Sequence, residues 1–95
     1  MNLDDDVKKI FFETFPFLNE SDFDWEKTQN NYEDWDSFAQ LNLITLTEAK
    51  FEITFSDDEI TSINSAKALL DIIKLKIWKQ SINSSLNHAR LILKN

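Results

Sequence analysis

Apolar and polar positions in the first fifteen residues recur with a helical period. Leu3, Val7, Ile10, Phe11, Thr14 and Phe15 stand three and four residues apart, behind Asp4, Asp5 and Asp6, which suit the positive end of a helix dipole. The spacing predicts a first helix beginning near Asp4 and ending at Phe15, because Pro16 disfavours helical geometry in the residue before it. Phe12, Phe17 and Leu18 fall outside the stripe and read as the edge of the core reaching into a loop. Residues 19–36 lose the period. Asn19, Ser21, Asp22, Asp24, Asn30, Asn31 and Asp34 surround Phe23, Trp25, Tyr32 and Trp35, which marks a long ordered loop whose aromatics serve as core anchors.

At one serine the pattern changes again. A second helix is expected from Asp36 or Ser37 to Phe51, with Phe38, Leu41, Ile44, Thr45 and Glu48 along one line and Leu43, Thr47 and Phe51 along its neighbour. Two apolar lines imply a helix gripped from more than one side. Phe51-Glu52-Ile53-Thr54-Phe55 alternates like a strand, but five residues with no partner strand make an extended connector. Ser56-Asp57-Asp58-Glu59 is a capping box that opens a short third helix to about Ser62. Asn64-Ser65 caps a fourth helix whose face is Ala66, Leu69, Leu70, Ile73 and Ile77. Beyond Lys76 the apolar residues Ile77, Trp78, Ile82, Leu86, Ala89, Ile92 and Leu93 keep roughly helical spacing among Lys79, His88, Arg90 and Lys94, as a continuation of that helix or a fifth one. The pattern as a whole is all-α. It predicts a small four-helix bundle over residues 1–76, with a long first loop and a short third helix, and an amphipathic basic extension over 77–95.

A length of 95 residues allows one small domain, and 42% hydrophobic residues suffice for a single core. Cysteine is absent, so packing must hold the fold without disulfides or thiolate metal sites. Glycine is absent too, which leaves helix ends and turns to be made by Asn, Asp and Ser. The chain holds no apolar run long enough to span a bilayer and starts on acids where a signal peptide would be basic, so a soluble, cytoplasmic protein is expected. The net charge of −7 is uneven: residues 1–65 carry 16 acids and 4 bases, residues 66–95 carry 1 acid and 6 bases. An acidic body argues against nucleic acid as partner and for docking onto a basic protein surface.

Ser37 is where candidate chemistry concentrates. The first N–H groups of a helix lack intrahelical partners and the dipole's positive end faces outward, so a phosphodiester on a serine there would be well placed. The plainer alternative is that Asp36 or Ser37 caps the helix and nothing more. The wider order of residues resembles the acyl carrier protein family over about residues 4–76. Val7-Lys8-Lys9-Ile10 is similar to the opening of that family's first helix, and Trp35-Asp36-Ser37-Phe38 stands where its Trp-Asp-Ser-Leu motif would. Leu41, Leu43 and Ile44 match the apolar positions that follow, and Phe51 to Ser65 runs without a gap against its acidic third helix and the start of its fourth. Phe38 replaces the family's leucine, and Gln40 stands where Trp-Asp-Ser-Leu members often have histidine.

The resemblance implies a non-enzymatic carrier with 4'-phosphopantetheine attached to Ser37, holding an acyl or aminoacyl group as a thioester. Asp36 would help a phosphopantetheinyl transferase position metal and coenzyme A, and Phe38 would lie beside the arm. The transferase brings the chemistry, so no base or triad is expected around Ser37. Phe38, Leu41, Ile60 and Ile63 would border an acyl groove, and Gln40, Leu41, Glu48, Asp57, Asp58 and Ile60 would meet loading and transferring enzymes. The alternative reading is an unmodified acidic interaction module that keeps the fold. His88, far along the chain, reads as a solvated or packed residue, and the extension reads as a membrane-surface or partner-groove anchor or as a segment folded back on the bundle.

Overall fold

The computed structural model describes the backbone of residues 2–93 and the side chains as far as residue 80. Four helices follow one another: α1 (Leu3–Thr14), α2 (Ser37–Phe51), α3 (Asp57–Ser62) and α4 (Ala66–Leu93). The long loop between α1 and α2 holds two single 3₁₀ turns, Glu20–Asp22 and Gln29–Asn31. Among the described residues there is no strand, and the alternating stretch 52–55 is an extended connector, as expected from its isolation.

Each helix end has a local cause. Asn2 caps α1 through its side chain, accepting from the Asp4 N–H at 3.0 Å, ahead of the three aspartates. Phe15, just before Pro16, ends α1 outside helical geometry. Ser56 and Glu59 form the reciprocal capping box on α3, at 3.2 and 2.8 Å. Ser65 Oγ accepts from the Ala68 N–H at 3.0 Å at the start of α4. The C-terminus of α2 departs from the expectation drawn from composition. Glu52, not Asn, Asp or Ser, takes the left-handed conformation there (φ 54°, ψ 46°), and its N–H bonds back to the Glu48 carbonyl. A side chain with a Cβ is disfavoured in that region, so this turn stores strain that glycine would relieve.

The core is Val7, Ile10 and Phe11 from α1, Phe15 just past its end, Leu43 and Ile44 from α2, Ile53 and Phe55 from the connector, Ile63, and Ala66, Leu69, Leu70 and Ile73 from α4. Tyr32 and Trp35 from the loop complete it. Phe11 sits at the centre of an aromatic group, with ring centroids 5.8 Å from Phe15, 6.0 Å from Phe23, 6.4 Å from Tyr32 and 5.6 Å from Trp35. Thr14 and Thr47 are buried polar residues, and each returns its hydroxyl to the carbonyl four residues earlier, at 2.8 and 2.7 Å.

The long loop is stitched down as well as packed. Thr28 and Ser65 form an isolated antiparallel bridge, the Gln29 N–H donates to the Asn64 carbonyl at 2.7 Å, and the Lys67 N–H donates to the Trp25 carbonyl at 2.9 Å. These bonds hold the loop against the junction of α3 and α4. Phe17 corrects one expectation: it is 89% exposed, because the chain turns outward at Pro16, while Phe12 and Leu18 stay half-buried. Ile77 corrects another. The buried face of α4 ends at Ile73, and Ile77 is already exposed.

Past Lys76, α4 runs on as one helix to Leu93, so the backbone continues and no fifth helix turns back. A helix of 28 residues is about 42 Å long at 1.5 Å per residue. That length explains a longest dimension of 58 Å against 28 and 20 Å for the others. The side chains of Ile82, Leu86, His88, Ala89, Arg90, Ile92 and Leu93 lie outside the described residues.

Candidate functional site

The start of α2 is built by its neighbours in sequence. Asp36 is the N-cap: its backbone is extended and its carboxylate accepts from the Ala39 N–H at 2.9 Å, while its carbonyl accepts from the Gln40 N–H at 2.9 Å. Ser37 is therefore the first residue inside the helix and is not needed as the cap. Its side chain is exposed and makes no hydrogen bond to another described residue. The Ser37 and Phe38 N–H groups belong to the first turn, ahead of the first bond of the helical ladder, and face the positive end of the dipole.

Behind this exposed hydroxyl lies a network that the residue pattern did not reveal. Trp35 is buried, and its indole N–H donates to Gln40 Oε1 at 2.6 Å. The Gln40 amide in turn donates to the carbonyls of Ile60 at 2.8 Å and Ile63 at 3.1 Å, at the end of α3. Gln29 Nε2 donates to the Trp35 carbonyl at 3.1 Å. One glutamine side chain thus ties the residue two before Ser37 to α3, and α2 begins from a fixed platform. The hint in the sequence was the amide at position 40. An amide on a face that also carries Leu43, Ile44, Thr47 and Phe51 must find partners when it is half-buried.

Phe38 and Leu41 require a correction. The spacing sets them on one line with Ile44, yet Phe38 is 83% and Leu41 is 64% exposed, while Leu43, Ile44 and Thr47 are buried. Three-residue steps fall short of a full turn by about 60° each, so that line winds off the packed face within two steps. The packed face runs through Gln40, Leu43, Ile44 and Thr47, and Phe38 lies on the far side of the helix. An apolar pair next to Ser37 is left facing water.

The other nominated residues divide into two groups. Glu48 is half-buried, and its Oε2 accepts from the Phe55 N–H at 2.9 Å, which pins the connector to α2. Gln40 and Glu48 therefore spend polar atoms inside the molecule. Asp57 and Asp58 stand exposed on the first turn of α3, and Ile60 is half-buried beside the Gln40 bridge. Ile63, named with Phe38 and Leu41 as groove border, is fully buried. Two open cavities lie away from it: one of about 490 Å³ between Asp4, Trp25, Lys67 and Lys74, and one of about 240 Å³ beside Phe15, Phe17 and Tyr32.

Electrostatics around the platform is mild. Glu59 accepts from the Lys76 ammonium at 2.8 Å, and that bond, followed by the one from the Ser56 N–H, holds its carboxyl below the usual range. Burial, with Asp24 and Asp34 nearby, pushes the Tyr32 phenol above its usual value. No group of three or more His, Cys, Asp or Glu side chains that could hold a metal ion occurs among the described residues.

No family model matches the chain, and no curated protein sequence does. Among solved structures, the chain is similar to a holo acyl carrier protein from Geobacter metallireducens, determined in solution by NMR. The two share 25% sequence identity over 84% of this chain and 91% of that one, with a TM-score of 0.71. The likeness read from residues 4–76 thus extends to three dimensions, and the fold of this chain is that of an acyl carrier protein.

Proposed function

We propose that this chain is a carrier whose Ser37 hydroxyl receives 4'-phosphopantetheine and holds an acyl or aminoacyl group on it as a thioester. The observation that carries the reading is the position of Ser37: exposed, first in α2, and released from capping by Asp36. The residues fit the group. A phosphodiester at Ser37 would lie at the positive end of α2, and the Trp35–Gln40–α3 network holds that end still while an enzyme works on it. The arm would supply a thiol for the thioester.

In the loading step an oxygen–phosphorus bond forms at Ser37 and a pyrophosphate bond of coenzyme A breaks. Adenosine 3',5'-bisphosphate leaves, and the serine proton passes to the transferase, which brings the base. Phe38 and Leu41, exposed next to the hydroxyl, give a partner enzyme an apolar centre. Asp34 in the loop before α2, and Asp57 and Asp58 on the first turn of α3, are exposed and add negative charge suited to a basic enzyme face. Gln40, Glu48 and Ile60 act in this reading by shaping that surface from beneath.

Incubation of the apo-protein with coenzyme A and a broad-specificity phosphopantetheinyl transferase is expected to add one phosphopantetheine mass, and Ser37→Ala is expected to prevent it. Absence of addition with every transferase tried, or addition to the alanine variant, would overturn the proposal and leave the unmodified interaction module as the better account.

A further inference from the structure

Where α4 leaves the bundle, it shows water two large apolar side chains that the bundle does not cover. Leu75 is 51% and Trp78 is 64% exposed, although both are large and apolar. The helix continues without a break to Leu93, and its register carries the row on through positions 82, 86, 89 and 93, which are Ile, Leu, Ala and Leu. At 3.6 residues per turn those six positions stay within a band about 80° wide. The steps of three and then four residues from 75 to 82 are repeated from 86 to 93, each place recurring eleven residues later. An eleven-residue repeat nearly matches the natural period of the helix, so the row stays on one side and forms a narrow seam for another helix.

Charge selects the occupant. Residues 77–95 hold Lys79, Arg90 and Lys94 and no acid, whereas residues 1–65 carry a net charge of −12. We infer that the α4 extension pairs with the α4 extension of a second copy of this chain, antiparallel and along the row from Leu75 to Leu93. In that arrangement the basic far end of each helix lies beside the acidic bundle of the other copy, and the two bundles stand apart. Parallel pairing would set two acidic bundles side by side and basic ends against each other. A lipid surface fits less well, because the row is narrow, Asn, Ser and Gln occupy much of the remaining circumference, and an anionic bilayer would repel the body.

Sedimentation equilibrium of the full chain across micromolar to millimolar concentrations is expected to give twice the chain mass, and added salt is expected to shift the equilibrium toward monomer. Trp78→Glu, at an exposed position outside the core, is expected to leave the far-ultraviolet circular dichroism unchanged and abolish the dimer. Because the native chain has no cysteine, single replacements report orientation: Leu75→Cys chains are expected to crosslink to Leu93→Cys chains and not to one another. Ser37→Ala is expected to dimerise like the parent, which separates this inference from the carrier assignment. A monomer at every concentration, a dimer indifferent to Trp78→Glu, crosslinking of position 75 to itself, or binding to anionic vesicles without self-association would overturn it.

Discussion

Gln40 shows what a single side chain does here. Its three hydrogen bonds join Trp35 to the end of α3, and each partner is at least partly withdrawn from water. Gln40→Leu would keep the volume while leaving the indole N–H and the Ile63 carbonyl without this partner and the Ile60 carbonyl with the Ile63 N–H alone, and is expected to cost about 2–4 kcal/mol in chemical denaturation. The two residues after Trp35 should separate cleanly. Asp36→Ala is expected to lose about 1 kcal/mol as a true N-cap change, whereas Ser37→Ala should change stability by less than about 0.5 kcal/mol, as an exposed site away from a cap does. Equal losses at the two positions would contradict the assignment of the cap to Asp36. At Glu52, the left-handed backbone predicts the opposite sign: Glu52→Gly is expected to stabilise the fold by several tenths of a kcal/mol, to about 1.

Among the elements, α3 is the one most dependent on others. It has six residues, too few for a helix to persist alone in water. The capping box, the Gln40 bridge and the ion pair from Lys76 of α4 hold it. The Glu59 carboxyl is depressed in the folded chain, so its contribution is present above the ordinary carboxylate value and is lost as pH falls through the folded one. Denaturation midpoints measured downward from about pH 4.5 are therefore expected to fall less for Glu59→Gln than for the parent. The loop between α1 and α2 makes a second case. Its bonds to the junction before α4 should protect the Gln29 and Lys67 amides from hydrogen exchange far beyond a free loop. Rapid exchange at both would show that the loop is not stitched down.

For the molecule as a whole, one aromatic cluster joins three parts of the chain that are distant in sequence. Phe11 packs against the ring of Phe15 just past α1 and against those of Phe23, Tyr32 and Trp35 from the loop. Phe11→Ala is expected to cost about 3–5 kcal/mol, a large share of the 5–15 kcal/mol that such domains possess, and thermal unfolding would read it directly. The acidic bundle and the basic extension make the chain electrically two-ended. That asymmetry gives the proposed carrier an acidic face for enzymes and the extension an attraction for a second copy.

Much of this architecture was legible in the residues themselves. The 3.6-residue period set α1 and α4, Pro16 ended the first helix, and Ser56 with Glu59 announced α3 almost to the residue, because caps and periods are local interactions that a few neighbours decide. The tilt of the core could not be read that way. Whether Phe38 and Leu41 or Gln40 and Thr47 face inward depends on which side of α2 meets α1 and α3. Pairing of Trp35 with Gln40 and α3, the outward turn of Phe17 and the use of Glu52 as a left-handed cap likewise arise from contacts made across the fold. Sequence alone therefore determined the helices and the serine at the head of α2. Tertiary packing decided which side chains that helix shows to water, because burial is fixed by what lies opposite and not by the residue's own preference.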